Sequence, residues 1–418
     1  MRFYKNKKIL FTCAATAVLT TGTFFSVDSY KDFLAKQTAS LTSNVESIEA
    51  QQKSSEAVSK TPAVVKAIYV TGWSAGSSSY LNYLSSLFTT TEINSVVIDI
   101  KDSSGYVYYN AGVPEVQRYK LYNYSIRDID ALVKFFHDKN IYVIGRISVF
   151  EDPMYSKNRK DLAVYDTEKT TDILNPVLWE DHKGLSWVDP SSKEVWDYNI
   201  ALAKDAILHG FDEINFDYIR FPSDGDFSNM GFPLWDKKTS RQKVIKNFFA
   251  YLREQLPTET LSVDLFGLTT VSRDDLGVGQ VLEDALEYFN YVSPMVYPSH
   301  YADGFIGFEN PAEHPYEVAR YSVGTSYYRR KILLLEETIK QKKLENSSNS
   351  NFEIDNNLIG KIRPWFQDFN LGADYTADMV KLEIKAAEEF LKDDYVGFML
   401  WNPYNIYTKE AINKSQSN

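Results

Sequence analysis

The segment FDEINFDYIRFP, residues 211–222, is the stretch from which the organisation of the chain can be worked out. Polar and apolar residues alternate along it, as in a β-strand whose successive side chains point to opposite faces. Glu213, Asn215 and Asp217 therefore share one face. The residues between them are expected on the other face, against helices, and so is Tyr218. The pattern predicts a buried strand with a row of polar side chains along one side.

Such a row costs on the order of several kcal/mol to bury unless each polar group has a partner. Arg146, in an earlier segment, and Arg220, three residues after Asp217, are the candidate partners. A later segment, LSVDLFG, alternates in the same way and places Ser262 and Asp264 together on one face. We therefore expect polar groups of neighbouring strands to meet inside the fold.

Seven further segments are as short as this one and similarly rich in β-branched and aromatic residues. Amphipathic stretches such as KEVWDYNIALAKDAILHG separate them, which predicts consecutive βα units and a parallel sheet. Eight such units close an α/β fold of the (β/α)₈ type, the TIM barrel. The other seven segments are KAIYVTG from Lys66, NSVVIDIK from Asn94, IYVIGRISVF from Ile141, LSVDLFG from Leu261, YVSPMVY from Tyr291, KIRPWFQDF from Lys361 and YVGFMLW from Tyr395.

Two features narrow this interpretation. The turn after the first strand reads TGWSAGSSS and lacks both G-x-G-x-x-G and G-x-x-x-x-G-K, so a doubly wound nucleotide-binding sheet is disfavoured. The stretch from Glu336 to Asn357 has no apolar period and predicts a mobile surface loop. The barrel domain is expected to span residues 63–410.

The N-terminus predicts export. Four basic residues within the first eight precede Ile9–Val27, a run without charge, so residues 1–30 are expected to be a signal peptide or a membrane anchor. Residues 31–62 are rich in Ser, Thr, Gln, Lys and Glu and predict a flexible linker. The domain is therefore expected at the extracellular face, membrane-anchored or secreted, and in contact with the membrane through the N-terminal segment only.

Composition excludes several functions. A net charge of −11 disfavours nucleic acid as a partner. The single cysteine, Cys13, lies in the N-terminal run, so the domain has neither a disulfide nor a cysteine nucleophile. No H-E-x-x-H motif is present, and we expect no metal and no cofactor. The 29 tyrosines suit stacking against sugar rings as well as ordinary packing.

In a (β/α)₈ barrel the active site lies at the C-terminal ends of the strands, so polar and aromatic residues there are candidate site residues. Two carboxylates on adjacent strand ends give the arrangement that glycosidases need, in which one protonates the leaving oxygen and the other attacks or activates water. Asp217 and Asp264 are the candidate catalytic pair, with Asp99 and Glu151 in reserve. The candidate substrate-binding residues are Asp99, Arg146, Glu151, Asn215, Arg220, Tyr297, His300, Trp365, Gln367, Trp401 and Asn402.

Several long motifs resemble a glycoside hydrolase family of exported bacterial proteins. In chain order they are SWVDPSSKEVWDYNIALAKDA, GFDEINFDYIRFPSDG, LSVDLFGLTT, YVSPMVYPSHY, NPAEHPYE and VGFMLWNPYNIYT. The resemblance covers roughly Val64 to Thr408 and implies a TIM barrel distantly related to the α-amylase superfamily. By position it implies a nucleophile at Asp217 and an acid at Asp264. Asp264 is shorter than the glutamate of that superfamily, and Asn215 stands where it has an arginine.

Three functions remain open at this point. The first is a glycosidase that cleaves an extracellular or cell-envelope polysaccharide. The second is a non-catalytic barrel that binds glycan at the cell surface. The third is a metal-dependent deacetylase or phosphodiesterase with Asp99, Asp217 and Asp264 as metal ligands.

Overall fold

The computed structural model describes residues 61–344 and 354–414. The predicted signal or anchor segment and nearly all of the predicted linker lie outside these residues. Eight parallel strands form a closed barrel, which confirms the predicted (β/α)₈ fold. They are β1 (Val65–Val70), β2 (Ser95–Lys101), β3 (Tyr142–Ser148), β4 (Glu213–Asp217), β5 (Leu261–Phe266), β6 (Tyr291–Val296), β7 (Lys361–Ile362 and Trp365–Gln367) and β8 (Gly397–Trp401).

The barrel closes where the first strand meets the last. β1 pairs with β8 in parallel, with Val65 opposite Gly397. Gly397 has a φ of 107°, and a Cβ atom there would lie 1.7 Å from the carbonyl oxygen of Val65. Only glycine fits this backbone conformation at this distance, so the seam depends on residue 397 having no side chain.

β7 is interrupted where the sequence predicts one continuous strand. Pro364 separates its two parts and has no N–H to donate to a neighbouring strand. Pairing continues on both sides of it, because the Arg363 N–H donates to the Val292 carbonyl at 2.9 Å and the Pro364 carbonyl accepts from Met399 N–H at 3.0 Å. The interruption therefore leaves the barrel closed.

Helices follow the strands around the outside. One set of buried side chains, including Ile214 and Phe216 of β4, fills the layer between strands and helices. A smaller set, including Tyr69 and Trp365, lies inside the barrel. The α-helices are α1 (Gly72–Ala75), α2 (Ser78–Thr90), α3 (Pro114–Arg118), α4 (Ile129–His137), α5 (Pro153–Asn158), α6 (Lys193–Leu208), α7 (Arg241–Gln255), α8 (Leu282–Tyr288), α9 (Pro315–Leu344) and α10 (Ala377–Leu391).

Two turns return the chain from a helix to the next strand. Asn140, before β3, has a φ of 57°, and Gly210, before β4, has a φ of 89°. Glycine and asparagine tolerate this left-handed conformation best, so these residues end α4 and α6 and redirect the backbone.

The loops that follow β3 and β4 pack together beyond the C-terminal ends of the strands. Tyr165–Asp166 and Met230–Gly231 pair as a short antiparallel ribbon between them. The Asp189 carboxylate joins the loops again by accepting the N–H groups of Leu234 at 2.7 Å and Trp235 at 2.9 Å. Because the two loops are tied together, they form one wall on this side of the barrel.

The prediction of a loop beginning at Glu336 is wrong for its first part. α9 continues through Glu336 to Leu344, and residues 345–353 lie outside the described residues. Lys, Glu and Gln dominate this part of the helix, and all three favour helix even where no apolar period is present. No helix within the described residues is both long and apolar enough to cross a membrane.

Candidate active site

A cavity of about 500 Å³ opens at the C-terminal ends of the barrel strands. Both candidate catalytic carboxylates and several of the predicted binding residues line it. Its lining consists of Arg146, Lys183, Asp217, Tyr218, Arg220, Asp264, Phe266, Gly267, Leu268, Met295, Tyr297, His300, Tyr301, Trp365 and Trp401.

Arg146 of β3 lies at the centre of the carboxylates. One terminal nitrogen donates to Asp99 Oδ1 at 2.6 Å and the other to Asp217 Oδ2 at 2.5 Å. Its Nε lies 3.9 Å from Asp264 Oδ2 and has no hydrogen-bond partner. The guanidinium thus lies among three carboxylates from three strands and forms hydrogen bonds with two of them, Asp99 and Asp217.

Asp217 is held by two hydrogen bonds, one to each oxygen. Arg146 donates to Oδ2, and the backbone N–H of Tyr218 donates to Oδ1 at 2.6 Å. Tyr218 has a φ of 52°, a left-handed conformation that costs about 1–2 kcal/mol in a non-glycine residue. This backbone breaks the strand alternation, so Tyr218 lines the cavity, whereas the sequence predicts it against the helices. The two hydrogen bonds fix the orientation of the Asp217 carboxylate.

Asp264 of β5 has a different environment. Its Oδ1 accepts from Trp365 Nε1 at 2.7 Å and from Asn215 Nδ2 at 2.9 Å. Burial raises the pKa of Asp264 well above its usual value, and the nearby Asp217 charge raises it further, against the lowering effect of Arg146. Asp264 therefore favours its protonated form, which is the form that a general acid requires.

Asp99 supports Arg146 from behind the cavity. Besides the Arg146 contact, it accepts a hydrogen bond from the Tyr69 hydroxyl at 2.5 Å. Burial raises the pKa of Asp99 to about 6. Tyr69 in turn stacks on Trp401, with ring centroids 3.9 Å apart. Asp99 is thus a partner of the site and does not line the cavity.

The loop wall brings cationic side chains to the cavity. Arg220 stacks against Trp187, Tyr218 and Phe266 and donates to Ser223 Oγ at 2.8 Å. Burial lowers the pKa of His300, and the Lys183 charge lowers it further. The two cations of this wall, Arg220 and Lys183, line the cavity together with His300, which follows β6.

Glu151 lies beside this wall and does not line the cavity. It is buried, and its Oε1 has no hydrogen-bond partner. Burial raises its pKa to about 7, against the lowering effect of Arg220. A carboxyl group in this setting is easier to keep neutral than ionised.

The structure does not bring every predicted binding residue to the cavity. Gln367 accepts from the Ser299 hydroxyl at 2.8 Å and donates to the Phe369 carbonyl at 2.9 Å, so it holds two loops together. Asn402 donates to the Asp368 carbonyl and accepts from Tyr404 N–H. Asn215 acts on Asp264 from inside the barrel. Tyr297, His300, Trp365 and Trp401 lie where the strand-end argument predicts.

Several lining residues were not predicted from the sequence. Tyr69, which contacts Asp99 without lining the cavity, was also missed, although it shares the inward face of β1 with Val65 and Ala67. Lys183 was missed because it belongs to the long loop after β3, where no periodicity marks it. Phe266 and Tyr301 follow strand ends and read as ordinary apolar residues.

Within residues 61–344 and 354–414, no three His, Cys, Asp or Glu side chains are grouped to hold a metal ion. Asp99, Asp217 and Asp264 do converge, but on the guanidinium of Arg146. The position between these carboxylates is therefore already taken by a positive charge.

A parallel (β/α)₈ barrel with a carboxylate-lined cavity at the strand ends defines a class in which many glycan hydrolases fall. The chain belongs to the family described as "Putative glycosyl hydrolase domain", whose model matches residues 67–407. At this general level the protein is a glycan-related hydrolase.

Comparison with solved structures gives one match with a TM-score above 0.5, which supports the fold, and others with lower scores. The glycoside hydrolase domain of PgaB (BpsB) from Bordetella bronchiseptica has a TM-score of 0.55 at 11% identity, over 84% of this chain and 100% of its own. A hypothetical protein from Ruminiclostridium thermocellum is 38% identical over 50% of this chain and 98% of its own, with a TM-score of 0.43. The α-galactosidase TtGalA from Thermus thermophilus is 13% identical over 84% and 60%, with a TM-score of 0.46. A search of curated proteins found no match.

Proposed function

We propose that this protein is a glycoside hydrolase that cleaves glycosidic bonds of an extracellular or cell-envelope polysaccharide with Asp217 and Asp264. The observation that carries the proposal is the contrast between these two carboxyl groups. They line one cavity beside one arginine, yet Asp217 accepts hydrogen bonds from Arg146 and the Tyr218 N–H, whereas burial raises the pKa of Asp264 and favours its protonated form. Family membership supports the reaction class.

Asp264 is the general acid. Trp365 and Asn215 both donate to its Oδ1, which leaves Oδ2 to carry the proton. In the reaction, Oδ2 gives this proton to the oxygen of the glycosidic bond as that bond breaks, so the leaving sugar departs as a neutral alcohol. The raised pKa keeps the proton on Asp264 at a pH where an ordinary aspartate has lost it.

Asp217 is the partner carboxylate. It either attacks the anomeric carbon or takes a proton from the water that does so; the first route retains the anomeric configuration and the second inverts it. Arg146 and the Tyr218 N–H fix the direction of its oxygens. The positive charge that develops on the sugar ring in the transition state is stabilised by this anion.

The cavity can accommodate a saccharide. Its volume of about 500 Å³ lies within the range of about 300–1,000 Å³ that is usual for small-molecule sites. Trp401, Tyr297 and Phe266 give it aromatic surface, and Arg220, Lys183 and His300 give it hydrogen-bond donors. Sugars present apolar ring faces and hydroxyl edges, and this mixture suits both.

We also propose that the domain works outside the cell, secreted or anchored by its N-terminus. The support is in the sequence, where basic residues precede the uncharged run Ile9–Val27.

The test is cleavage of a panel of wall and capsular polysaccharides, measured as new reducing ends, by the full chain and by Asp217→Asn. The variant should release nothing measurable, and its melting temperature should change by less than about 3 °C because the side-chain shape is kept. Asp378→Asn, at an exposed position on α10, is the matched control and should cleave normally. Normal cleavage by Asp217→Asn would refute the assignment. Binding of oligosaccharides without any release by the unmodified chain would favour a non-catalytic glycan-binding barrel.

A further inference from the structure

The solvent-facing side of α9 carries a stripe of apolar residues. Tyr321, Tyr328, Ile332, Leu335 and Ile339 are between 38% and 60% exposed. Single exposed apolar residues are normal on a protein surface, but five in a row on one helix are not scattered. We call these five residues the α9 stripe.

The spacing of the α9 stripe is that of a coiled coil. Successive members from Tyr328 to Ile339 are four, three and four residues apart, and Tyr321 lies seven residues before Tyr328. At 3.6 residues per turn, all five fall within about 60° of the helix circumference. In heptad terms Ile332 and Ile339 occupy a positions, and Tyr328 and Leu335 occupy d positions.

The opposite side of α9 is already fixed to the barrel. Val323, Ser326, Arg330, Leu334 and Thr338 are buried there. Arg330 Nε donates to the Gly360 carbonyl at 2.6 Å, just before β7. One side of the helix is therefore buried against the barrel, and the apolar α9 stripe lies on the other side.

We propose that the α9 stripe pairs with the α9 stripe of a second copy, as a parallel two-stranded coiled coil along a two-fold axis. Isoleucine at a and leucine at d is the combination that favours two parallel strands, which is the pattern of Ile332, Leu335 and Ile339. A two-fold interface requires a surface that is complementary to itself, and a heptad stripe meets this requirement.

Charge along the seam fits the same arrangement. Lys331 occupies a g position and Glu336 the e position five residues later. In a parallel pair these positions face each other across the interface, so each copy contributes one cation and one anion. The Lys331 side chain contacts Asp394 Oδ2 at 2.6 Å in its own chain but remains 39% exposed, and Glu336 is exposed.

A parallel pair aligns the two barrels. β4 and the other strands run opposite to α9. In a parallel pair both cavities therefore open in the same direction, and both copies of Thr61 lie at the other end of their barrels, away from the cavities. Two chains tethered by their N-termini to one surface have the same orientation relative to that surface, and a parallel pair keeps this orientation. The proposal does not depend on the reaction that the cavity performs.

Cross-linking in the full chain tests both the pairing and its direction. Cys13→Ser removes the natural thiol, and Tyr328→Cys or Ile339→Cys is then introduced singly and treated with a short bismaleimide. A parallel pair places each residue against its own copy, so each variant should give a covalent dimer on a denaturing gel. An antiparallel pair separates the two copies of each residue by many ångströms and should give none. Leu208→Cys, an exposed position on α6, should also give none.

Mass measurement tests whether the stripe holds the dimer. The full chain in detergent should have the protein mass of two chains, and Ile332→Glu/Leu335→Glu should have half that mass with an unchanged melting temperature. Leu208→Glu should leave the dimer intact. A mass of one chain for the unmodified protein up to about 100 μM, a dimer that survives the double substitution, or absence of the cross-links at 328 and 339 would each overturn the proposal.

Discussion

β4 carries a carboxylate–arginine contact at each of its ends, and the two ends do different things. At the N-terminal end Glu213 pairs with Arg363, both fully buried, and accepts from the Tyr142 hydroxyl at 3.3 Å. At the C-terminal end Asp217 shares Arg146 with Asp99 and Asp264 and lines a cavity. The same chemistry closes the barrel interior at one end and leaves reactive groups accessible at the other.

The two ends of β4 use the same type of partner, an arginine, but differ in how many carboxylates each arginine contacts. Glu213 has a dedicated arginine, whereas three carboxylates compete for Arg146. One positive charge cannot satisfy three negative ones in a buried site, so protonation of one or more carboxyls relieves the imbalance. A surplus of carboxylates is therefore what distinguishes the candidate active site from a structural ion pair.

The largest expected effect is on catalysis at the C-terminal end. Asp264→Asn removes the proton donor, while its amide oxygen can still accept from Trp365 and Asn215, so cleavage should fall about 10²–10⁴-fold with little loss of stability. In the unmodified chain, activity should fall as pH rises through the raised pKa of Asp264, because the acid must be protonated to act. The pH–rate profile of both proteins checks this, and a variant that keeps the falling limb would show that another group is the acid.

The N-terminal end should respond in the opposite way. Arg363→Met leaves Glu213 buried without its partner and should cost about 3–5 kcal/mol of unfolding free energy. Cleavage per folded molecule should not change, since neither residue reaches the cavity. Denaturant melts provide the measurement. Glu213→Leu combined with Arg363→Met should recover most of the loss, and a double variant as unstable as the single one would contradict this account.

Glu151 should show a smaller effect on stability, with a defined dependence on pH. Burial raises its pKa in the folded protein from 4.5 to about 7. Its contribution to stability is thus fully present below about pH 4.5 and is lost as pH rises through about 7. Glu151→Gln cannot ionise, so it should be more stable than the unmodified chain by roughly 1–3 kcal/mol at pH 8 and equal to it near pH 4. Melting curves across this range would disprove the idea if the difference were constant.

The smallest expected effect concerns the hydrogen bond from Trp365 to Asp264. Trp365→Phe removes a donor that stabilises the ionised form, so the pKa of Asp264 should rise further and the falling limb of the pH profile should move to higher pH. The maximal rate should change less than about tenfold, as one hydrogen bond contributes about 1 kcal/mol. A limb that moved to lower pH would mean that the indole N–H does not act on this carboxyl.

The alternation in FDEINFDYIRFP was enough to predict which residues of β4 face the interior, because a strand has only two faces. Arg363, the partner of Glu213, was not predicted, since the two residues are 150 positions apart and meet only when the barrel closes. Gln367 and Asn402 were predicted near the site because they follow strand ends. Their side chains instead form hydrogen bonds with loop backbone, which a position at a strand end does not indicate. Tyr218 enters the cavity through a backbone conformation that no side-chain pattern reveals.

The closing contact between β1 and β8 at Gly397 also has a consequence for folding during synthesis. β1 can find its last neighbour only after the ribosome has synthesised residue 397, more than 300 residues after Val65. At about 5–20 residues per second this takes roughly 20–60 s. Throughout that interval the emerging sheet has unpaired edges that can join to other chains. The closing contact at Gly397 therefore makes the first strand dependent on the last one to be synthesised.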